Sequence, residues 1–445
     1  MLGSPGASMS TMRPTTEIYD AIIVGGRPAG ASLAMRLGRQ GMRVLIIDRA
    51  NFPSAPPVSV PFLMNSSMGL LDELELPESE YAHDAPRLRH FFVEYKDYFR
   101  AHYAVSEVGG RDYIYTVDRE RLDGCLWNHL SRFDSVTRLE GAHVLSLERD
   151  TSGRVSGVKL RLEDGGEQVV GGRCVVGADG RYSLVARQAG AHVTEQRTDV
   201  DTSALYAYWS GYAPYDAEPT GIQIHTEGDG FSMIIMPTTQ GRAGVVFQGR
   251  SDRFKVSGDA QTYYLEGLRR YPAIWRRLTH ATQVSSIRGI KRMGNLYRQA
   301  GGPGWALVGD AFHQKDSIDA QGIYDALLES KLLAAALVDW KQGALSWEQA
   351  IERYEREALS ATRAMFHATL DRVKREIYTE LPPWAARSVL RWTMTDGEYM
   401  RRFSLLLARR IDPEGWAPPG VLLGAMARGL TSDLRRLVSS PRGRA

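Results

Sequence analysis

A glycine-rich turn near the start of the chain has the residue types that bind a dinucleotide. It consists of Gly25, Gly26, Arg27, Pro28, Ala29 and Gly30, and it lies between apolar runs at 21–24 and 43–47. The glycines allow a tight turn and close packing of a helix on a strand, while the helix N-terminus offers free N–H groups to a pyrophosphate. Asp48 and Arg49 follow the second run, about 20 residues after the turn, where an acid binds a ribose hydroxyl.

Arg27 departs from this pattern, because the middle glycine of G-x-G-x-x-G is expected at its position. A side chain therefore stands where the backbone should approach the phosphate, and its guanidinium could add positive charge there. The alternative is a degenerate glycine turn in an ordinary α/β protein. The order of strand, turn, helix, strand and acid favours the dinucleotide site.

Two later segments also place an acid after an apolar run. The Asp179 segment is VVGADGRYSLVAR, residues 175–187, and the Asp310 segment runs from Gly309 to Ala326. A helix predicted from about Ala320 to Trp340 would direct its positive end and free N–H groups at the loop before it. Backbone N–H groups at this N-terminus would stabilise an anionic ligand edge.

Composition excludes several classes of function. The 445 residues are 43% hydrophobic and 24% charged, as in ordinary globular proteins, and the net charge of +3 gives no case for nucleic-acid binding. Cys125 and Cys174 are the only cysteines, which argues against a disulfide framework and a cysteine metal cluster. Residues 1–16 predict a disordered tail, and no apolar run is long enough to span a membrane. We therefore expect a cytoplasmic protein with no integral membrane segment and no metal site.

Turn chemistry and apolar alternation predict further elements. Aromatic and β-branched stretches within 87–116 and from Leu205 to Gly249 predict antiparallel strands, and 143–176 predicts a β-meander whose last strand runs into Gly177. Asp118 is a candidate N-cap for the helix that follows it. Ser346 and Gln349 predict a capping box at the start of a later helix.

The three acid-bearing segments together resemble the FAD-dependent monooxygenases of the aromatic-hydroxylase type. That superfamily also contains flavin-dependent halogenases and geranylgeranyl-reductase-like flavoproteins. A fourth, weaker pattern, Val117-x-Arg119-x-x-Leu122-Asp123-x-x-Leu126, is similar to one that places an arginine on the FAD. The matches span most of residues 18–340.

The resemblance implies roles for individual residues. Asp179 would lie near the pyrophosphate, Asp310 would bind the ribityl hydroxyls, and Arg119 would contact the FAD. The helix N-terminus formed by Gln321, Gly322 and Ile323 would face the flavin pyrimidine edge, where glycine allows close approach. Each role is assigned to the residue of this sequence that occupies the matching position of the family motif.

The expected fold is α/β with α+β insertions. A Rossmann-like FAD-binding domain with a parallel sheet would be discontinuous, over 17–85, 117–190 and 295–345. An antiparallel-sheet substrate domain would take 86–116 and 191–294, and a helical C-terminal region 346–445.

The function implied is an NAD(P)H-using monooxygenase. NADPH or NADH would reduce the FAD, O2 would add to it, and the peroxyflavin would hydroxylate or epoxidise a small aromatic or polyketide-like molecule. The alternative is an FAD-dependent reductase or dehydrogenase of an unsaturated substrate. A halogenase ranks third, because the Trp-x-Trp-x-x-Pro stretch of those enzymes is approached only by Trp209-Ser-Gly-Tyr-Ala-Pro214, without the second tryptophan. The oligomeric state is not indicated.

Departures from the family pattern fall on the substrate side of the flavin. Lys315-Asp316-Ser317 stands where many aromatic hydroxylases have a proline, and Ala320 stands at the family's first loop glycine. His313 is one candidate proton carrier, although a histidine here is more often a packing or loop-bonding residue.

Overall fold

The computed structural model describes residues 18–54, 62–216, 218, 220–256 and 258–439, so the predicted tail at 1–16 lies outside the described residues. The strands are β1 (Ala21–Val24), β2 (Val44–Ile47), β3 (Phe62–Leu63), β4 (His90–Tyr95), β5 (Phe99–Ala104), β6 (Tyr115–Thr116), β7 (Val136–Leu139), β8 (His143–Arg149), β9 (Val155–Arg161), β10 (Glu167–Gly171), β11 (Val175–Gly177), β12 (Val193–Arg197), β13 (Thr202–Ser210), β14 (Ile222–Thr226), β15 (Phe231–Pro237), β16 (Arg242–Arg250), β17 (Thr282–Gln283), β18 (Arg288–Ile290), β19 (Asn295–Arg298), β20 (Gly301–Gly302), β21 (Trp305–Leu307) and β22 (His313–Gln314). The α-helices are α1 (Pro28–Arg39), α2 (Asn65–Asp72), α3 (Glu78–Tyr81), α4 (Arg119–His129), α5 (Leu184–Ala189), α6 (Ala260–Arg269), α7 (Pro272–Leu278), α8 (Gly322–Lys341), α9 (Trp347–Val373), α10 (Pro383–Ala385), α11 (Arg391–Met394), α12 (Gly397–Leu407) and α13 (Pro419–Ser439).

A buried sheet of order β20-β21-β11-β1-β2-β7 carries the glycine turn. Its strands are parallel except β20, which runs antiparallel to β21 at the edge. The apolar runs of β1 and β2 are buried throughout, as expected for strands covered on both faces. Helices α1 and α8 pack against each other, with the Ser32 and Ser330 hydroxyls 2.7 Å apart at their contact. The parallel sheet predicted from the sequence is confirmed.

A second sheet has eight strands, two more than the first. Its order is β17-β13-β16-β15-β14-β4-β5, and β18 also pairs with β13. Its pairs are antiparallel except β14 with β4, which are parallel. One face packs on α6 and α7 through Trp209, Phe247 and their neighbours, and the other packs on side chains of α12, including Phe403. The sheet thus has a C-terminal helix against one face.

Two local expectations need correction. The β-meander contains β8, β9 and β10 only, because the chain turns after Gly171 and β11 joins the parallel sheet beside β1. The chain passes close to β1 where it leaves the meander for the parallel sheet. A Cβ on Gly172 would lie 2.8 Å from the Ile22 side chain. The last strand expected within 87–116 is reduced to the two residues of β6, which pairs with β3.

The C-terminal part is helical, as predicted. Ser346 and Gln349 form the capping box at the start of α9, and Asp118 caps α4 by accepting the Glu120 N–H. Within the described residues, no helix is both long and apolar enough to cross a membrane. The same residues contain no cluster of three or more His, Cys, Asp or Glu side chains suited to a metal ion.

Candidate FAD site

Close backbone contacts shape the glycine turn. Gly25 has φ of +107°, and a Cβ placed on it would lie 2.4 Å from the Ala178 carbonyl oxygen. A Cβ on Gly30 would lie 1.8 Å from the Gly25 carbonyl oxygen, and one on Gly26 would lie 2.4 Å from the Trp127 ring. The turn therefore requires glycine at all three positions, which leaves α1 closely packed on β1.

The fold brings the three acid-bearing segments together. Ala178, next to Asp179, contacts the glycine turn, since its methyl group would lie 3.2 Å from a Cβ on Gly30. Gly309, next to Asp310, has φ of +64°, and a Cβ there would lie 2.8 Å from the Ala29 methyl group. Segments separated by more than a hundred residues thus meet at the ends of β1, β11 and β21.

Asp48 fastens the glycine turn to the end of β2. Its carboxylate is buried and accepts the Gly26 N–H at 2.7 Å and the Ala50 N–H at 2.8 Å. Arg49 is exposed beside it, and Pro28 is the buried first residue of α1. Asp48 therefore lies where the sequence places it, with its charge already stabilised by two backbone donors.

Arg27 and Arg119 share one buried carboxylate. The Arg27 guanidinium lies 2.6 Å from Asp123 Oδ2 and donates to the Ser54 carbonyl oxygen at 3.0 Å. Arg119 forms a forked pair with the same Asp123, one turn further along α4, at 2.9 and 3.1 Å. The Phe52 ring lies 5.6 Å from the Arg27 guanidinium. The sequence predicted roles for Arg27 and Arg119 but none for Asp123, whose carboxylate joins these two arginines.

Asp179 forms its hydrogen bonds with residues that follow it closely in the chain. Its carboxylate accepts bonds from the Ser183 hydroxyl at 2.5 Å and the Leu184 N–H at 2.7 Å, so it caps the start of α5. Burial raises the pKa of Asp179 despite these donors. Its contribution to the site is the shape of the β11–α5 turn that contacts Gly25.

Asp310 is more open than the other acids. Its Oδ2 lies 2.9 Å from Arg181 Nε, and 36% of the side chain remains exposed. One carboxylate edge is therefore neutralised by a cation while the group stays accessible, which suits it to bind hydroxyl groups of a ligand.

The N-terminus of α8 is also open. Gly322 is its exposed first residue, and a Cβ there would meet no atom within 4 Å. Gln321 is buried, because its amide donates to the Leu407 carbonyl oxygen at 2.7 Å and accepts from Arg409 at 2.7 Å. Ile323 is buried behind it. Space for a side chain is therefore open beside the first turn of α8, and the leading N–H groups of a helix have no intrahelical acceptor, as a site for an anionic edge requires.

His313 lies in the core. Its Nδ1 is 3.0 Å from Glu329 Oε1, and its ring stacks on Tyr297 with centroids 4.2 Å apart. Burial lowers the pKa of His313 to about 3, and burial likewise raises the pKa of Glu329 well above its usual range. Glu329 also accepts the Gly309 N–H at 2.8 Å. The pair supports the Gly309 turn, and a proton-carrying role for His313 stays a prediction.

A buried ion triad below the α8 N-terminus was not expected from the sequence. Lys315 Nζ and the Arg409 guanidinium each lie 2.6 Å from one oxygen of Asp325. Burial opposes the charge on Asp325, but the two cations outweigh it and lower the pKa of this carboxyl. Lys315 and Asp325 belong to the Asp310 segment, whereas Arg409 lies in the C-terminal region, where no sequence signal pointed to the site.

An apolar cavity, called here the sheet cavity, separates the large sheet from the loop that precedes α8. It is lined by Phe62, Met64, Phe91, Tyr103, Ile222, Ile224, Ile234, Met236, Val246, Gln248, Ser317, Ile318, Asp319, Ala320, Arg372 and Leu407. Arg372 and Leu407 come from the C-terminal region, and Ala320 has φ of +52° in the loop itself. The cavity encloses about 40 Å³, so an organic molecule would bind between the sheet and the N-terminus of α8 only after the lining side chains move apart.

The donors and clearances of this region fit FAD. Three glycines form the turn that begins α1, an accessible acid follows β21, and α8 begins with N–H groups that have no intrahelical acceptor. The family model described as FAD binding domain matches residues 18–369. The chain belongs to this FAD-binding family. It is an FAD-dependent oxidoreductase.

Relatives within this family catalyse different reactions. The chain is 26% identical to a digeranylgeranylglycerophospholipid reductase of Methanosarcina acetivorans, over 76% of this chain and 80% of that protein. It is 27% identical to the ubiquinone hydroxylase UbiL of Rhodospirillum rubrum, over 75% of this chain and 76% of that one. The flavin-dependent brominase Bmp2 shares the fold, with a TM-score of 0.73 at 18% identity, over 95% of this chain and all of Bmp2.

Proposed function

We propose that this protein is a monooxygenase that uses NADPH or NADH and O2 to oxygenate a small organic molecule in the sheet cavity. In the overall reaction one oxygen atom enters the substrate and the other leaves as water, with the nicotinamide supplying two electrons. Bound FAD would supply the electron transfer and the activation of O2. The observation that carries the proposal is the position of the apolar cavity directly against the loop that leads into the open α8 N-terminus.

The residues of this chain would bind, orient and exclude water. The glycine turn and the N-terminus of α1 would hold the pyrophosphate, Asp48 the ribose, and Asp310 the ribityl hydroxyls. The N–H groups of Gly322 and Ile323 would stabilise negative charge on the reduced ring. Apolar side chains from the sheet, such as Phe91 and Ile234, would keep water from the reacting atoms.

A reductase of an unsaturated substrate is the second candidate. The apolar lining of the sheet cavity suits a hydrocarbon as well as an aromatic ring, and the Methanosarcina relative is named as a reductase. A halogenase has less support from the stretch considered above, because Trp209 belongs to the other face of the sheet, where its Nε1 donates to the Tyr264 hydroxyl at 3.1 Å.

Coupled measurements of oxygen and nicotinamide separate these activities. We would follow NADPH and NADH oxidation together with O2 uptake and H2O2 release over a panel of neutral aromatic and isoprenoid compounds. A monooxygenase substrate accelerates nicotinamide oxidation, lowers the peroxide yield and consumes one O2 per product. Product formation without O2 uptake would instead establish the reductase.

The placement of FAD is tested by Asp310→Ala. We expect FAD to bind about tenfold more weakly, because a partly exposed carboxylate that receives ligand hydroxyls is lost. Titration of apoprotein with FAD, followed by flavin fluorescence, measures this change. Asp112→Ala removes an acid from a surface pair with Arg89 and serves as the control. Unchanged affinity in Asp310→Ala would show that this segment does not hold the cofactor.

A further inference from the structure

We infer that helix α13 binds the surface of an anionic lipid bilayer through a row of apolar side chains that the protein leaves exposed. This row, called here the α13 stripe, consists of Leu423, Leu430, Leu434, Leu437 and Val438, which are 64%, 48%, 52%, 75% and 88% exposed. The inference concerns a lipid surface, so it holds or fails whichever reaction takes place at the FAD site.

Helix α13 packs on the protein through a different side. Ala425 is buried, a Cβ on Gly429 would lie 2.1 Å from the Trp392 ring, and Asp433 accepts the Trp392 indole N–H at 2.8 Å. Successive residues of this packed side are four positions apart, so they share one face of the helix. Tertiary packing therefore accounts for that face alone.

The spacing of the exposed leucines defines a second face. Leu430, Leu434 and Leu437 are separated by four and three positions, and Leu423 lies two turns before Leu430. At 3.6 residues per turn this row points away from the packed row. Contiguous exposed apolar side chains on one helix face mark an interaction surface, whereas single exposed ones do not.

Positive charge is concentrated in the same part of the chain. Residues 419–445 contain five arginines and one aspartate, a formal charge of +4, whereas the whole chain has a net charge of +3. Arg428 and Arg435 are exposed and lie seven positions apart, so they share a face beside the stripe. An apolar face beside a basic one is typical of helices that lie on anionic membranes.

The dimensions and flanks of the stripe suit a helix that lies in the plane of a membrane surface. Residues 423–438 extend over about 22 Å of helix at 1.5 Å per residue. Trp384, which is 69% exposed, lies just before residues 386–390, which contact α13. Tryptophan is favoured where the apolar interior of a bilayer meets water, because its ring is apolar and its N–H is polar.

A second copy of the chain is the alternative occupant of the stripe. A two-fold dimer joins the same surface of both copies, so the arginines of the two α13 helices would flank one interface. Like charges brought together across an interface weaken association, whereas anionic headgroups complement the same arginines. The charge of the segment therefore favours the lipid surface.

Vesicle flotation of the full-length, FAD-loaded protein tests the inference. One set of vesicles contains phosphatidylcholine alone, and the other contains equal parts of phosphatidylcholine and phosphatidylglycerol. We expect the partition coefficient to be at least about tenfold larger for the anionic vesicles, because the arginines are attracted to them. This preference should shrink as NaCl rises from about 0.1 M to about 0.5 M, since salt screens the attraction.

Two double variants separate the apolar contribution from the charged one. Leu430→Ser with Leu434→Ser should lower binding to anionic vesicles at least about tenfold, because less apolar surface enters the bilayer. Arg435→Gln with Arg436→Gln should lower it about tenfold and leave binding to neutral vesicles nearly unchanged. Far-UV circular dichroism and the flavin spectrum check that each variant folds.

Matched controls remove similar groups elsewhere on the surface and should bind as the wild type does. Val169→Ser replaces an aliphatic side chain on β10 that is 63% exposed. Arg39→Gln with Arg132→Gln removes two partly exposed charges that pair with Glu75.

Several outcomes would overturn the inference. It fails if the wild type does not float with anionic vesicles, if it binds neutral vesicles equally well, or if both double variants bind as the wild type does. If the leucine variant does not fold, the arginine variant decides. A dimer in light scattering that the leucine variant converts to a monomer, without vesicle binding by the wild type, would assign the stripe to a second copy.

Discussion

The nucleotide end of the candidate site, at the glycine turn, differs in construction from its ring end, at the loop before α8. At the nucleotide end, backbone contacts between Gly25, Gly30 and Ala178 set the shape, and Asp48 anchors it through two N–H groups. At the ring end, buried side chains set the shape. Asp325 holds Lys315 and Arg409 there, and Asp319 holds Arg372.

This difference separates what each end tolerates. A turn made of backbone contacts fails when a side chain is added, whereas a loop made of ion pairs fails when a side chain is removed. The ring end also depends on α9 and on the segment after α12, so the C-terminal region is part of the site. Its stability should therefore respond to buried charge and to pH more than that of the nucleotide end.

The largest effect should come from Asp325→Ala. Removal of this carboxylate leaves Lys315 and Arg409 as unpaired buried cations, and we expect the free energy of unfolding to fall by about 3–5 kcal/mol. Urea unfolding measures the change. The matched control is Asp112→Ala in its exposed pair with Arg89, which should cost less than about 1 kcal/mol. Equal losses in the two variants would contradict the contrast between the ends.

The pH dependence of stability gives the second test. Burial lowers the pKa of His313 to about 3 from its ordinary 6.5, so between these values the unfolded chain binds the additional proton. Stability should therefore fall as the pH falls below 6.5, by at most about 1.4 kcal/mol per pH unit. Because buried Glu329 has a raised pKa, it contributes a loss of stability as the pH rises, in the opposite direction.

His313→Phe isolates the histidine contribution. The variant keeps a ring against Tyr297 and should show a smaller loss of stability between about pH 7 and about pH 5 than the wild type. Urea unfolding at both pH values gives the comparison, with exposed His280→Phe as the control. Parallel pH profiles for the wild type and His313→Phe would remove His313 from this account.

Gly322→Ala should affect cofactor binding without affecting the fold. A Cβ at this first residue of α8 meets no protein atom within 4 Å, so stability should stay within about 0.5 kcal/mol. FAD affinity should fall by about tenfold, because the methyl group would occupy the space assigned to the ring edge. Gly397→Ala, at the equally open first residue of α12, is the control for fluorescence titration. Unaltered FAD affinity would place the ring elsewhere.

The smallest effect is expected for Arg27→Gly, which restores the glycine of the usual fingerprint. Arg119 would still hold Asp123, and the loss of one charge near the phosphates should weaken FAD binding by about threefold to tenfold. Arg27→Lys keeps the charge and should lie between the two in the same titration. If Arg27→Gly binds FAD as well as the wild type or better, the arginine has no role at the phosphate.

Much of the nucleotide end is predictable from sequence because it is local. The spacing of Gly25, Gly30 and Asp48 within one strand–helix–strand unit indicates both the turn and the acid that closes it. The Asp179 segment shows the limit of such patterns. Its strand was assigned to the meander, but β11 pairs with β1, since a short apolar strand carries no signal for the sheet that it joins.

By itself, the sequence determined a dinucleotide fold with three acid-bearing strand ends, because glycine spacing and strand patterns are local properties of the chain. Only the tertiary structure decided what each charged group does. Arg27 and Arg119 meet at Asp123, His313 is buried against Glu329, and the C-terminal residues Arg372 and Arg409 complete the ring end. The packing of helices and strands determines which residue pairs with a buried charge. The sequence contains no local pattern that indicates such pairs between residues far apart in the chain.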